Sequence, residues 1–211
     1  MTSNACDLPY NDVMTHLIVW TLTVAAVHSA LASTPFVDPR DGESYDILEV
    51  AGLTWMRRNL VFATPDSACP RNDRDACARE GRLYPWTTAI TACPAGWRLA
   101  TEDDWRRLEI AIGVPAQELD GERERGKGSA AALMIGGSTR LDFPLAGWRR
   151  PDGSFRVGNG NDRAAAIWTA TRASDSHAWH RDLSSERTGI WRSAVPFDYS
   201  LSVRCVRDTV S

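Results

Sequence analysis

The sequence predicts an α+β domain closed by two disulfides. Three observations lead there. Apolar positions follow a helical spacing in the first half and give way, after Leu141, to short turn-bounded strands; helices first and strands after is the order of an α+β fold. The chain has 211 residues with 43% hydrophobic side chains. That is enough for one core of ordinary size or two small ones, and too apolar for a disordered chain or a collagen-like repeat. Four of its five cysteines follow what reads as an export leader, and cysteines in an oxidising compartment pair.

The leader comes first. Residues 17–27 (LIVWTLTVAAV) form an uncharged apolar run, followed by His28-Ser29-Ala30-Leu31-Ala32, a small-x-small ending. The run falls short of the roughly 20 residues that a membrane span needs. It suits a secretory signal at 1–32, cleaved after Ala32; the rival reading is a buried core helix. Residues 1–13 carry Asp7 and Asp12 and no Lys or Arg, unusual before a signal, and a start at Met14 would remove that mismatch. Cleavage removes Cys6 and leaves Cys69, Cys77, Cys93 and Cys205, an even set with three ways to pair. The expected destination is secreted or periplasmic, at the cell envelope, with no membrane insertion once the signal is gone.

Residues 33–44, with Pro35 and Pro39, read as a linker before a domain at 45–208, and 209–211 as a tail. Residues 45–60 predict a hairpin turning at Ala51-Gly52. Residues 64–81 read as loop, and a bridge between Cys69 and Cys77 would close it locally. A short helix is expected over 86–92, ended by Cys93-Pro94. The strongest helix follows Thr101: acids at 102–104 favour the helix dipole, Trp105, Leu108, Ile110 and Ile112 give an apolar face, and Gly113 and Pro115 stop it. Residues 120–128 (DGERERGKG) read as a solvated loop. Strands are expected at 143–150 and 154–157 around Pro151-Asp152-Gly153. After a second turn at 158–162 come strands at 166–171, 178–183, 189–193 and 201–206.

These elements carry motifs in a specific order. Gly81-Arg82-Leu83-Tyr84-Pro85-Trp86 precedes Ala92-Cys93-Pro94-Ala95-Gly96-Trp97-Arg98-Leu99. Then come Phe143-Pro144-Leu145-Ala146-Gly147-Trp148-Arg149, Asp152-Gly153-Ser154-Phe155, Trp168-Thr169-Ala170-Thr171 and Ser202-Val203-Arg204-Cys205-Val206-Arg207-Asp208. From about Asp46 to Asp208 the chain resembles the Fibrobacter succinogenes major paralogous domain, a family of exported bacterial domains. The resemblance implies a C-type lectin-like fold, distantly related to the formylglycine-generating enzyme and to the variable proteins of diversity-generating retroelements. It implies two helices and an antiparallel sheet whose last strand returns beside the first. It also implies bridges Cys93–Cys205 and Cys69–Cys77; the longer closes a loop of about 110 residues, worth roughly 4–5 kcal/mol in the chain-entropy model.

The chemistry is sparse. With 24 basic and 27 acidic residues the net charge is −3, so no strong field draws nucleic acid or anionic lipid. No serine sits in G-x-S-x-G, and two disulfides would leave no free thiol after cleavage. The formylglycine-generating enzyme uses paired late cysteines, whereas the one late cysteine here, Cys205, matches a structural position. No catalytic residue and no cofactor is therefore assigned. No cysteine pair has C-x-x-C spacing for zinc. His177 and His180, three apart on a strand, point to opposite faces and do not share a metal. Asn159-Gly160-Asn161-Asp162 offers oxygens but lacks the calcium-loop series and reads as a plain turn; no metal site is assigned.

Tryptophan is more informative. Trp55, Trp86, Trp97, Trp105 and Trp168 fall on family core positions. Trp179 and Trp191 instead sit among His177, His180, Arg181, Arg187 and Arg192, and Trp with Arg most often anchors interfaces. The expectation is a non-enzymatic binding domain whose ligand surface spans 171–200 and uses Arg172, His177, Trp179, His180, Arg181, Trp191 and Arg192. Its partner is a protein or a glycan, including one on a cell surface. The alternatives are an enzyme of the formylglycine-generating class and a retroelement variable protein.

Overall fold

The chain divides into two units, Met1–Ala32 and Ser33–Ser211. The computed structural model describes Met1, residues 34–158 and residues 163–209. The expected leader, with either start, thus lies outside the described residues, as do positions 159–162 of the second turn and the end of the tail.

The second unit begins with strands β1 (Phe36–Val37) and β2 (Ser44–Tyr45), which pair with each other. This corrects the linker expected at 33–44. The signal was hidden because a charged group anchors the turn: Asp38 is fully buried and accepts from the Arg40 backbone and guanidinium. Strands β3 (Ile47–Val50) and β4 (Leu53–Met56) form the expected hairpin. Ala51 and Gly52, at φ 53° and 76°, supply the two positive-φ positions that a tight two-residue turn requires.

Helix α1 (Arg74–Glu80) occupies part of the stretch expected to be loop. Asp73 caps it by accepting from the Asp75 N–H, and Cys77 within it is bonded to Cys69. Its sequence, RDACARE, buries only Ala76 and Cys77, so no apolar stripe announces it. Strand β5 (Leu83–Pro85) leads directly into α2 (Trp86–Ala92), which has the expected bounds. After β6 (Arg98–Leu99), Thr101 opens α3 (Glu102–Ala111). Its hydroxyl accepts from Asp104 N–H while the Asp104 carboxylate accepts from Thr101 N–H, a reciprocal cap. Three α-helices are therefore present among the described residues, one more than expected.

The 120–128 loop contains a strand, β7 (Arg123–Arg125). Strands β8 (Trp148–Arg149) and β9 (Phe155–Arg156) flank the Pro-Asp-Gly turn. The long strands β10 (Ala164–Arg172), β11 (His177–Ser184) and β12 (Ile190–Pro196) follow. The single strand expected at 201–206 is two: β13 (Ser200–Ser202) and β14 (Cys205–Asp208) belong to different sheets.

The large sheet runs β7-β12-β11-β10-β13-β8-β9, with β5 also on β13. It is mixed rather than purely antiparallel, because β10 and β13 run parallel. The four-stranded sheet runs β3-β4-β14-β6, so the last strand does return beside the first hairpin. Cys93, just after α2, bonds Cys205 at the start of β14, tying helix to sheet.

Alternation along β10 serves two cores. Ala165 and Ile167 pack with Trp55, Trp105, Leu108 and Phe143. Ala166 and Trp168 pack with Tyr84, Trp86, Met56 and Leu201. The five tryptophans assigned to the interior are all buried. Arg204, also fully buried at the sheet switch, donates to Asn59 Oδ1, Met56 O and Leu141 O and lies over the Phe143 ring. Burial pushes its guanidinium down to about 9.

Candidate functional site

The seven residues expected to form one ligand surface do not lie on one surface. Registers Arg181↔Arg192 and His180↔Ser193 put Trp179, Arg181 and Arg192 on the face toward α3, and His180, Asp182, Trp191 and Ser193 on the opposite face.

The α3 face is an internal ion cluster. Arg181, with no exposed surface, donates to Glu102 and, through Nε, to Glu109 at 2.6 Å. Arg192 Nε donates to Glu102 at 2.9 Å, and Arg125 Nη2 lies 2.8 Å from Glu109. Arg181 lies over Trp105, and Arg192 over Trp179 at 3.4 Å. Burial raises the Glu102 carboxyl, but the Arg181 charge and the hydrogen bonds from Arg181 and Arg192 more than reverse this and hold it below its ordinary value. Arg181 and Arg192 are thus framework cations, which corrects their assignment to a ligand surface. The i, i+2 alternation that separates them from His180 was readable in the sequence; their carboxylate partners, some 70 to 90 residues away, were not.

Arg172 is exposed and lies over the stacked Trp86 and Phe197 rings. His177 shares its Nδ1 with Ser176 Oγ at 2.9 Å. Both sit at the rim of the sheet, on β10 and β11.

The opposite face is concave. A cleft of about 220 Å³ opens there. Ala166, Val195 and Leu201 form its apolar floor, and Trp148 and Tyr199 add aromatic surface. His180, Asp182, Ser193 and Arg150 supply its polar groups. Apolar lining with a few convergent polar groups is the usual make-up of a ligand pocket.

The polar groups are incompletely matched to one another. His180 is only 4% exposed. Its Nε2 lies 3.2 Å from Asp182 Oδ1, yet the two are misaligned for a hydrogen bond. His180 Nδ1 and Asp182 Oδ1 are both buried without a hydrogen-bond partner among the described residues. Buried polar atoms are rarely left so. Ser193 Oγ accepts from Trp191 Nε1 at 3.1 Å, which leaves its own proton free to donate. The Arg150 guanidinium makes no hydrogen bond with a described residue, and Asp152, two residues on and near enough to feel its charge, is fully solvated and accepts from Ser154.

Sequence reasoning missed Trp148 and Arg150 and, within the expected surface 171–200, did not single out Asp182, Ser193 or Tyr199. Asp182 and Ser193 share the alternation of His180 and Trp191, a usable signal. Trp148 and Arg150 arrive where β8 bridges β10 and β13, and Tyr199 just before β13, pairings that local pattern does not encode. Among the described residues no group of three or more His, Cys, Asp or Glu side chains is placed to hold a metal ion, and no helix is long and apolar enough to cross a membrane.

The family model of the Fibrobacter succinogenes major domain (Fib_succ_major) matches residues 48–207. The chain belongs to this family. In this Fib_succ_major member the match runs from β3 into β14 and takes in both disulfides and the whole cleft. No curated protein and no solved structure matched the chain.

Proposed function

We propose that this protein is an exported binding domain, with a C-type lectin-like fold, that seats a residue-sized group of a protein or glycan ligand in the cleft over β10–β13. The observation that carries this reading is the buried, unpartnered Nδ1 of His180 in a concave site lined by Trp148 and Tyr199. A ligand would bring the partner that the protein withholds.

Two further features support binding without turnover at an extracytoplasmic location. Both cysteine pairs within the described residues are bridged, and Cys205, the late cysteine, is one of them. Disulfides persist where glutathione does not reduce them.

The test is a screen of the disulfide-bonded protein against peptide, glycan and small-metabolite panels, repeated with Ser193→Trp to fill the cleft. Saturable binding lost in Ser193→Trp, with an unchanged unfolding midpoint, supports the reading. Saturable binding that Ser193→Trp leaves intact places the ligand elsewhere and refutes it.

A further inference from the structure

The cleft holds charges of both signs that lack full partners. Asp182 carries a carboxylate whose nearest ionisable neighbour is His180, and its Oδ1 has no aligned donor. Arg150 presents a guanidinium with no hydrogen-bonded acceptor among the described residues. Around a second cleft, by β2 and the β3–β4 hairpin, Arg57 by contrast pairs with Asp142 and Arg58 with Glu43. The cleft over β10–β13 instead holds a carboxylate and a guanidinium that are not paired with each other.

Sheet order sets the two charges apart. Asp182 lies on β11 and Arg150 just beyond β8, whose leading residue Gly147 bridges Ala165 of β10, so β10 lies between them. Two strand spacings span about 10 Å of backbone. Both side chains reach into the same cleft, so they approach each other across it and do not touch. The space between them is floored by Ala166 and Leu201, flanked by Trp148 and Tyr199, and supplied with a free hydroxyl proton by Ser193.

We infer that the cleft recognises a small zwitterion of the amino-acid class, with its ammonium on Asp182, its carboxylate on Arg150 and its carbon skeleton against Trp148 and Tyr199. A guanidinium meets a carboxylate through two parallel N–H donors. A carboxylate with an oxygen that no protein donor is aligned to fill accepts from an ammonium. Aromatic faces favour the ammonium-bearing carbon as well. A neutral sugar would satisfy the hydroxyl and the aromatic faces but would leave both charges uncompensated. This inference rests on the cleft being the ligand seat, as proposed above.

The experiment is calorimetric titration of the disulfide-bonded protein with free amino acids and dipeptides, with their N-acetyl and C-amide derivatives, and with neutral monosaccharides. The expected result is saturable binding of at least one unmodified zwitterion, weakened about tenfold to a hundredfold by either N-acetylation or C-amidation, since each removes one charged hydrogen-bonded contact. Asp182→Asn should weaken the free zwitterion and leave affinity for the N-acetyl form unchanged; Arg150→Met should do the same for the C-amide form. Saturable binding of a monosaccharide, abolished by Trp148→Ala, with no zwitterion binding, overturns the inference and keeps the cleft as the ligand seat. No saturable binding by any compound of the panel overturns the inference. Zwitterion binding unaffected by Asp182→Asn, Arg150→Met and Trp148→Ala overturns both readings.

Discussion

Glu109→Gln should destabilise the domain more than Arg181→Met, although Arg181 makes more contacts. The cluster between α3 and the sheet contains three guanidinium groups (Arg125, Arg181, Arg192) and two carboxylates (Glu102, Glu109), all buried. It carries one uncompensated positive charge. Burial and the neighbouring charge of Arg181 accordingly pull the Arg125 guanidinium below its ordinary value. Removing Glu109 leaves three cations facing one anion and turns an amide N–H₂ toward arginine donors. Breaking a buried pair in this way costs about 3–5 kcal/mol. Removing Arg181 instead leaves two intact pairs, Arg125–Glu109 and Arg192–Glu102, with zero net charge, so its loss should cost only about 1–2 kcal/mol. The double variant should be less destabilised than the sum of the two, because the second substitution relieves the excess charge created by the first. Urea unfolding with intact disulfides reads these differences: at a slope of about 2 kcal/mol/M, a 4 kcal/mol loss lowers the midpoint by about 2 M. An Arg181→Met variant as unstable as Glu109→Gln, with strict additivity in the double, would show that hydrogen bonds rather than net charge govern the cluster.

Acid should weaken the domain through Glu102 and Asp104. Burial raises the Asp104 carboxyl, but hydrogen bonds from Arg98 and Thr101 reverse this and hold it, like Glu102, below its ordinary value. Stability from these groups is complete above their unfolded values near 4 and is lost as pH falls through the folded ones. Urea midpoints measured from pH 7 to pH 3 should therefore fall, and fall less steeply in Glu102→Gln; parallel curves would contradict this. Arg204→Met strands Asn59 Oδ1 and two buried carbonyls, and should cost at least about 2 kcal/mol; a loss below about 1 kcal/mol by thermal unfolding counts against that account. Replacing Cys93 and Cys205 by alanine opens a separation of 112 residues, against 8 for Cys69 and Cys77. The chain-entropy losses are about 5 and 2.5 kcal/mol, and equal losses would show that the shorter bridge does more than shorten a loop.

The sequence showed those parts of the fold whose signals are local. Helix α2, the capped start of α3 and the Ala51-Gly52 turn each depend on residues within a few positions of one another, and each sits where its residues predict. Elements held by charge or sulfur were invisible. Helix α1 lacks an apolar stripe and leans on Cys69–Cys77. Strand β7 buries Arg125 against Glu109 rather than a hydrophobic face. The β1–β2 pair turns on buried Asp38. The candidate site divided in the same way. Composition singles out Trp191 and His180 but cannot separate the two faces of the β11–β12 pair, so it singles out the buried Arg181 and Arg192 with them. Trp148 and Tyr199 reach the cleft only because β8 and the residues before β13 cross onto the same sheet, a non-local event.

The central claim is that ligand enters the cleft beside Trp148. Two-dimensional NMR of the indole N–H groups, assigned with Trp148→Phe and Trp191→Phe, tests it during titration with any saturating ligand. The Trp148 and Trp191 resonances should move together along one saturation curve, while those of the interior Trp55, Trp105 and Trp168 hold still. Saturation that shifts other indoles and leaves Trp148 unmoved would contradict the account.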